Sequence, residues 1–317
     1  MEINDSSKEK IGRIGVLMGG PSSEREISFK SGKAVFEAFR QMGLDVVAID
    51  INTDDVKENI GLIKSKGIDC AFLALHGRFG EDGQIQCILD SIELPYTGSG
   101  VEASELAMDK VLSRKIFEAN GLAVPRYKVF ERKSFPSAWN NHLGLPLVIK
   151  PATHGSSIGL SIIDKEQDLD KAVDLAFGFD ERIIIEEYIK GRELTVGILE
   201  ERALPVIEII PKKTFFDFEA KYQTGLTEYV VPAQIKDVVA ERTKEAALSA
   251  HKLLGCFGCS RVDLILSQKE IPFVLEVNTI PGFTSTSLLP KAARCVGIEF
   301  GELCLKLIRL AYEKRKN

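Results

Sequence analysis

Two short apolar runs near the C-terminal end, Ser260-Arg261-Val262-Asp263-Leu264-Ile265-Leu266 and Pro272-Phe273-Val274-Leu275-Glu276-Val277-Asn278, constrain this chain more than any other segment. They read as strands joined by a polar turn. If the turn is centred between Lys269 and Glu270, Asp263 falls opposite Glu276 and Arg261 opposite Asn278, and strand alternation puts all four side chains on one face. Directly opposed residues have Cβ atoms about 4.5 to 5.5 Å apart, so two carboxylates placed in this way repel. A divalent cation that prefers hard oxygen ligands removes the repulsion, and the Asn278 amide oxygen adds a neutral ligand. A solvated hairpin face with incidental charges is the plain alternative, and the intervening Val, Leu and Ile residues argue against it. The turn that follows, Thr279 to Ser287, is rich in hydroxyls and backbone N–H groups suited to an oxyanion or a carboxylate.

The other end of the chain has a different rhythm. An apolar run from Arg13 to Met18 stops at Gly19-Gly20-Pro21, and a helical pattern through Val35, Phe36 and Phe39 ends at Gly43. Apolar runs at Asp45–Ile49 and Asp69–Leu75 continue the alternation, which predicts a parallel sheet flanked by helices. One long amphipathic helix is expected from Val101 to Gly121. Beyond Pro125 the strands become hairpin-like, at Leu147–Lys150, Gly159–Ile163, Arg182–Ile185 and around Glu200–Ala203, which predicts a second module of α+β type. Residues 211–232 carry aromatics and charges without a period and read as a long functional loop. Helices are expected over Val238–Leu254 and Phe300–Lys314.

The strand ending in Lys150 runs into Pro151-Ala152-Thr153-His154-Gly155-Ser156-Ser157-Ile158-Gly159, small residues that let backbone N–H groups approach phosphate oxygens. Alone this signal is weak, because many Gly/Ser turns only turn. Neither the GxxxxGK[ST] loop nor GxGxxG is present.

With 41 basic and 46 acidic residues the net charge is -5, which excludes a protein built to hold nucleic acid through its phosphates. The polar start of the chain predicts no secretory signal, and no apolar run approaches a membrane span. A cytoplasmic protein with no membrane partner is expected. Its six cysteines, including the Cys256/Cys259 pair, read as buried thiols rather than metal ligands.

Several segments together carry a family resemblance: Gly19 to Ser28, His76-Gly77-Arg78-Phe79-Gly80-Glu81-Asp82-Gly83, Tyr96 to Gly100, Met108-Asp109-Lys110, Gly155 to Gly159, Glu219-Ala220-Lys221-Tyr222, and Leu275 to Thr279 with Pro281-Gly282. In this order and spacing they are highly specific, and over nearly its whole length the chain resembles D-alanine:D-alanine ligases. The resemblance implies an ATP-grasp fold, α/β and α+β, with an N-terminal Rossmann-like domain at 1–100, a central domain at 101–190 and a C-terminal domain at 191–317 carrying a mobile loop at 211–232.

It implies ligation of two D-alanines through an acyl phosphate for peptidoglycan precursor synthesis, with ATP and two Mg²⁺ or Mn²⁺ ions; a homodimer is the expected assembly. Lys110, Lys150, Ser157 and Lys221 would serve the phosphates, Glu186, Glu187 and Ile189 the adenine edge, and Glu193 the ribose. Asp263, Glu276 and Asn278 would hold the metal. Glu24, joined to Ser156 and Tyr222, would bind the first D-alanine near His76; Ser287 and Leu288 would hold the second; Arg261 and Gly282 would stabilise the oxyanion. Departures from the family pattern fall at Phe79, His154, Glu187 and Thr286. A D-lactate or D-serine ligase is the nearest alternative, and a non-catalytic nucleotide-binding homologue is the alternative from another class.

Overall fold

The computed structural model describes residues 11–136, 142–211 and 227–314. β1 (Ile14–Gly19) is buried along its whole length and pairs in parallel with β2 (Val46–Ile51) and β3 (Cys70–Leu73), in the order β2-β1-β3. A strand buried on both faces needs a continuous apolar run, which is the pattern the sequence shows here. Helices Arg25–Gln41, Val56–Ser65 and Gln84–Ser91 alternate with the strands. The first of them buries Val35 and Phe39.

The chain divides into two compact units, and Ile280–Asn317 groups with Met1–Val101 rather than with the rest of 191–317. The reason is apolar. Phe283 packs edge-on to Phe72, which packs on Phe39, and helix Phe300–Lys314 buries Leu303, Leu307 and Ile308.

The second unit, Glu102–Thr279, is antiparallel. β4 (Tyr127–Glu131), β5 (Leu147–Pro151), β6 (Ser161–Ile163) and β7 (Arg182–Glu187) form one sheet in the order β4-β7-β5-β6. Helix Leu169–Phe177 buries Ala172, Val173, Ala176 and Phe177 in the core beneath it. β8 (Gly191–Leu199), β9 (Arg202–Ala203), β10 (Ile207–Pro211), β11 (Thr227–Val230), β12 (Cys259–Ser267) and β13 (Pro272–Asn278) form the other, in the order β11-β10-β8-β12-β13 with β9 on β8. Helix Asp237–Leu253 closes that core through Val239, Ala247 and Ala250.

Three expectations about elements are corrected. The single helix over Val101–Gly121 is two, Val101–Met108 and Lys110–Ala119. Asp109 adopts an extended conformation between them and its carboxylate accepts from the Val111 and Leu112 N–H groups, so it caps the second helix. The strand expected from Gly159 begins at Ser161, because Gly159 takes a left-handed φ of 70°. Within 211–232, Thr227–Val230 is a strand paired with β10, and residues 212–226 lie outside the described part. No helix among the described residues is long and apolar enough to cross a membrane.

Candidate active site

The second unit contains a cleft of about 360 Å³. Its walls include Val148, Ile162, Leu194, Ile209 and Leu264, and its charged groups include Lys110, Lys150, Glu193, Asp263 and Glu276. Apolar walls with a few convergent ionic groups suit a ligand that has a flat hydrophobic part and an anionic part.

Lys150, at the end of β5, is buried. Its ammonium lies 2.8 Å from one carboxylate oxygen of Glu186 on β7, and the other oxygen contacts the Arg114 guanidinium. Arg114 is fully buried and stacks on the Tyr127 ring, 5.3 Å from its centroid. Burial drives the Lys150 pKa down to about 8 despite the pull of Glu186. Burial alone would lift the Glu186 carboxyl, but Arg114 and Lys150 together outweigh it and hold it below the usual range. The pair is therefore ionised and locked inside the wall.

Lys110 follows the Asp109 cap directly, so the break in the helix aims it. Arg182 donates to the other Asp109 oxygen at 2.6 Å, and Lys110 N–H bonds Ala152 C=O at 3.0 Å. The Lys110 ammonium then donates to the His154 carbonyl at 2.8 Å and sits 3.4 Å from Glu276. In the loop after β5, Ser156 and Ser157 have φ of 54° and 59°, a conformation that favours glycine and costs on the order of 1–3 kcal/mol per residue.

The hairpin has the expected register where it matters: Asp263 pairs with Glu276 and Arg261 with Asn278. The register slips just beyond, where Leu264 pairs with Val274, so Leu275 is an extra residue forming a β-bulge next to Glu276. The Asp263 carboxylate receives Arg261 in a two-point fork at 2.9 and 2.7 Å, Thr195 Oγ1 at 2.6 Å and the Asn278 amide at 3.1 Å. Two carboxylates and an amide on one face make a hard-oxygen donor set, and each carboxylate sits beside a basic side chain, Arg261 or Lys110, that balances its charge. Among the described residues no group of three His, Cys, Asp or Glu gathers for a metal. Asp263 and Glu276 supply two hard-oxygen donors, so most of the shell of a cation bound there would have to come from ligand phosphate oxygens and water.

Glu187, Ile189 and Glu193 also line the cleft. Glu187 is one of the departures, and its carboxylate accepts from Arg126 at 2.9 and 2.7 Å through the backbone N–H and Nε. A lysine there could not make this pair.

The first unit holds the other candidates. Glu24, at the start of helix Arg25–Gln41, is buried, and Gly77 lies against its carboxylate with φ of 68°, a conformation that favours glycine. Ser22 Oγ accepts from Glu24 N–H at 3.2 Å and donates to His76 C=O at 2.7 Å. His76 is buried with both ring nitrogens in contact, Nε2 with Ser31 Oγ at 2.9 Å and Nδ1 with Ile280 C=O at 3.1 Å. Ser287 stands at the N-cap position of helix Leu288–Cys295 without a side-chain bond to it, and its Oγ instead accepts from Thr284 N–H at 3.0 Å beside Gly282. The first N–H groups of that helix are a natural carboxylate site. Lys221 and Tyr222 lie outside the described residues.

The sequence reading missed Arg114, Ser31, Thr195 and Arg126. For Arg114 there was a signal: it stands one helical turn after Lys110, on the same face.

Residues 52–99 match the family described as D-ala D-ala ligase N-terminus, and residues 116–309 match D-ala D-ala ligase C-terminus. The D-alanine–D-alanine ligase of Geotalea uraniireducens is 46% identical over 302 residues, 95% of this chain and 96% of its own length. That of Pelotomaculum thermopropionicum is 45% identical, covering 95% and 97%. The crystal structure of the D-alanine–D-alanine ligase from Bacillus anthracis complexed with ATP superposes with a TM-score of 0.83 at 34% identity, over 96% of this chain and 99% of the other. A second structure of the Bacillus anthracis enzyme gives 0.85 at 37% identity, covering 96% and 98%. In fold the chain is an ATP-grasp protein, and it belongs to the D-alanine–D-alanine ligase family.

Proposed function

We propose that this chain is the cytoplasmic enzyme that joins two D-alanine molecules into D-alanyl-D-alanine, converting ATP to ADP and phosphate, as a step in peptidoglycan precursor synthesis. The observation that carries the reading is one cleft in which two buried lysines and an opposed carboxylate pair meet apolar walls.

ATP occupies that cleft. Lys110 and Lys150 hold its phosphates, Ser157 and the surrounding backbone cover them, and the family resemblance assigns Lys221 to the γ-phosphate. Glu193 takes the ribose hydroxyls. Glu186, Glu187 and Ile189 meet the adenine edge, through one carboxylate and the polar groups of the backbone. Asp263, Glu276 and Asn278 would hold two Mg²⁺ or Mn²⁺ ions, which would supply charge neutralisation at the phosphoryl oxygens.

Glu24 receives the ammonium of the first D-alanine, a step to which the family resemblance also assigns Ser156 and Tyr222. A carboxylate oxygen of this D-alanine attacks the γ-phosphorus, the bond to the ADP oxygen breaks, and an acyl phosphate forms. Ser287 and the Leu288 N–H hold the carboxylate of the second D-alanine. Its neutral amine attacks the carbonyl carbon, Arg261 and the Gly282 N–H stabilise the oxyanion, and phosphate leaves. The working division into domains 1–100, 101–190 and 191–317, and a homodimeric assembly, belong to the same reading.

Phosphate release should require D-alanine and a divalent cation together; equal ATP turnover with and without D-alanine overturns the ligase reading. D-Alanine should win over D-lactate as second substrate near neutral pH. Tyr222 stays uncharged there, so it does not repel the incoming ammonium as a partly protonated histidine would.

A further inference from the structure

Residues 280–283 carry the backbone N–H of Gly282, and the way this segment is held departs from an ordinary turn. In a β-turn the C=O of the first residue takes the N–H of the fourth. Here Ile280 C=O accepts from His76 Nδ1 at 3.1 Å, and Phe283 N–H donates to Ser31 Oγ at 3.1 Å. Ser31 Oγ and His76 Nε2 are 2.9 Å apart. Two side chains thus stand between the ends of the turn and bridge them.

The protons along this bridge have one consistent arrangement for a neutral imidazole. A carbonyl only accepts, so Nδ1 carries the ring proton and Nε2 is the acceptor. Ser31 then accepts from Phe283 N–H and donates its own hydroxyl proton to Nε2. Each donor has one acceptor and no polar atom of the bridge is left over. Both side chains are buried, Ser31 to 1% and His76 to 4% exposure, so water does not compete for these bonds. The His76 carbonyl meanwhile accepts from Ser22, whose Oγ also receives Glu24 N–H. One residue therefore fixes the loop that leads into Glu24 and, through its ring, the turn that carries Gly282.

We propose that His76 and Ser31 are positioning residues that hold the 280–283 turn and so set the direction of the Gly282 N–H, and that the His76 ring acts through this bridge rather than by contact with D-alanine. The inference rests on the assignment of Gly282 to the oxyanion. Both ring nitrogens are engaged by the protein, and the conformation of the turn depends on them.

The test is kinetic and spectroscopic. Ser31→Ala should lower kcat by about 10- to 100-fold with KM for ATP unchanged, since an oxyanion donor acts in the transition state and nucleotide binding does not use the bridge. Ser31→Ala combined with His76→Gln should be no worse than His76→Gln alone, because the two act as one unit. In the wild-type protein, nitrogen NMR of His76 should show the Nδ1-protonated tautomer. Wild-type kcat in Ser31→Ala, additive losses in the double variant, or an Nε2-protonated ring would each overturn the proposal. Absence of D-alanine-dependent turnover in the wild type would instead overturn the ligase reading, and the NMR result would still decide whether the bridge exists.

Discussion

The Lys150 ammonium lies 2.8 Å from a Glu186 oxygen, inside a wall that pushes its pKa down to about 8. A lysine this close to neutrality changes charge when a polyphosphate arrives. Phosphate favours the ammonium, so ATP binding at about pH 8 should draw a proton from solution. Calorimetry in buffers of different ionisation enthalpy should show net proton uptake, and KM for ATP should rise as pH passes 8. Lys150→Arg should abolish both effects, because a guanidinium does not titrate there.

Glu276→Gln should reduce turnover by on the order of 100-fold or more while circular dichroism and thermal midpoint stay near wild type. A neutral amide keeps the shape of the hairpin but removes half of the opposed carboxylate pair. Near-wild-type turnover would place the metal elsewhere.

Arg114→Met should destabilise the second unit by about 3 to 5 kcal/mol, because it leaves the buried Glu186 carboxylate with one cation in place of two. Adding Glu186→Gln should restore much of that loss, since the cost lies in the uncompensated charge. Denaturant midpoints of the two single variants and the double variant close the cycle.

His251 is buried against Ser260 Oγ at 2.7 Å, and burial lowers its pKa from 6.5 to about 4. The folded form resists protonation more than the unfolded chain does, so this contribution is complete above about pH 6.5 and is lost as pH falls toward 4. Between pH 7.5 and 4.5 the wild type should lose about 2 to 3 kcal/mol more than His251→Gln, which keeps a partner for Ser260 and does not titrate. Urea unfolding at the two pH values measures it.

What the sequence disclosed depended on whether a local pattern had one physical solution. Asp263 and Glu276 could be paired on paper because alternation on a half-buried face admits one register, and a one-residue slip would bury the charges. The bulge at Leu275 left no mark, since an extra apolar residue in an apolar strand looks like its neighbours. Asp109 was read as part of one helix because the apolar stripe runs through it, although its carboxylate ends one helix and starts the next. Phe79 could be noted as unusual but not explained: it takes φ 73° while buried in the N-terminal core, a conformation that only glycine adopts without strain. Arg114 stood one helical turn after Lys110, but its partner could not be read, because the Glu186 it neutralises lies on a distant strand and no spacing rule joins them.

A chain leaving the ribosome completes Glu102–Thr279 before the partners of its own beginning exist. Phe283, which packs on Phe72, and the helix Phe300–Lys314 are synthesised after that unit. The contiguous unit can therefore fold while still tethered, whereas Met1–Val101 must wait, with Phe72 uncovered and Ser31 lacking its bond from Phe283, until the residues beyond Ile280 have followed. A premature stop near Ile280 would thus cripple the segment made first and spare the one made just before the break.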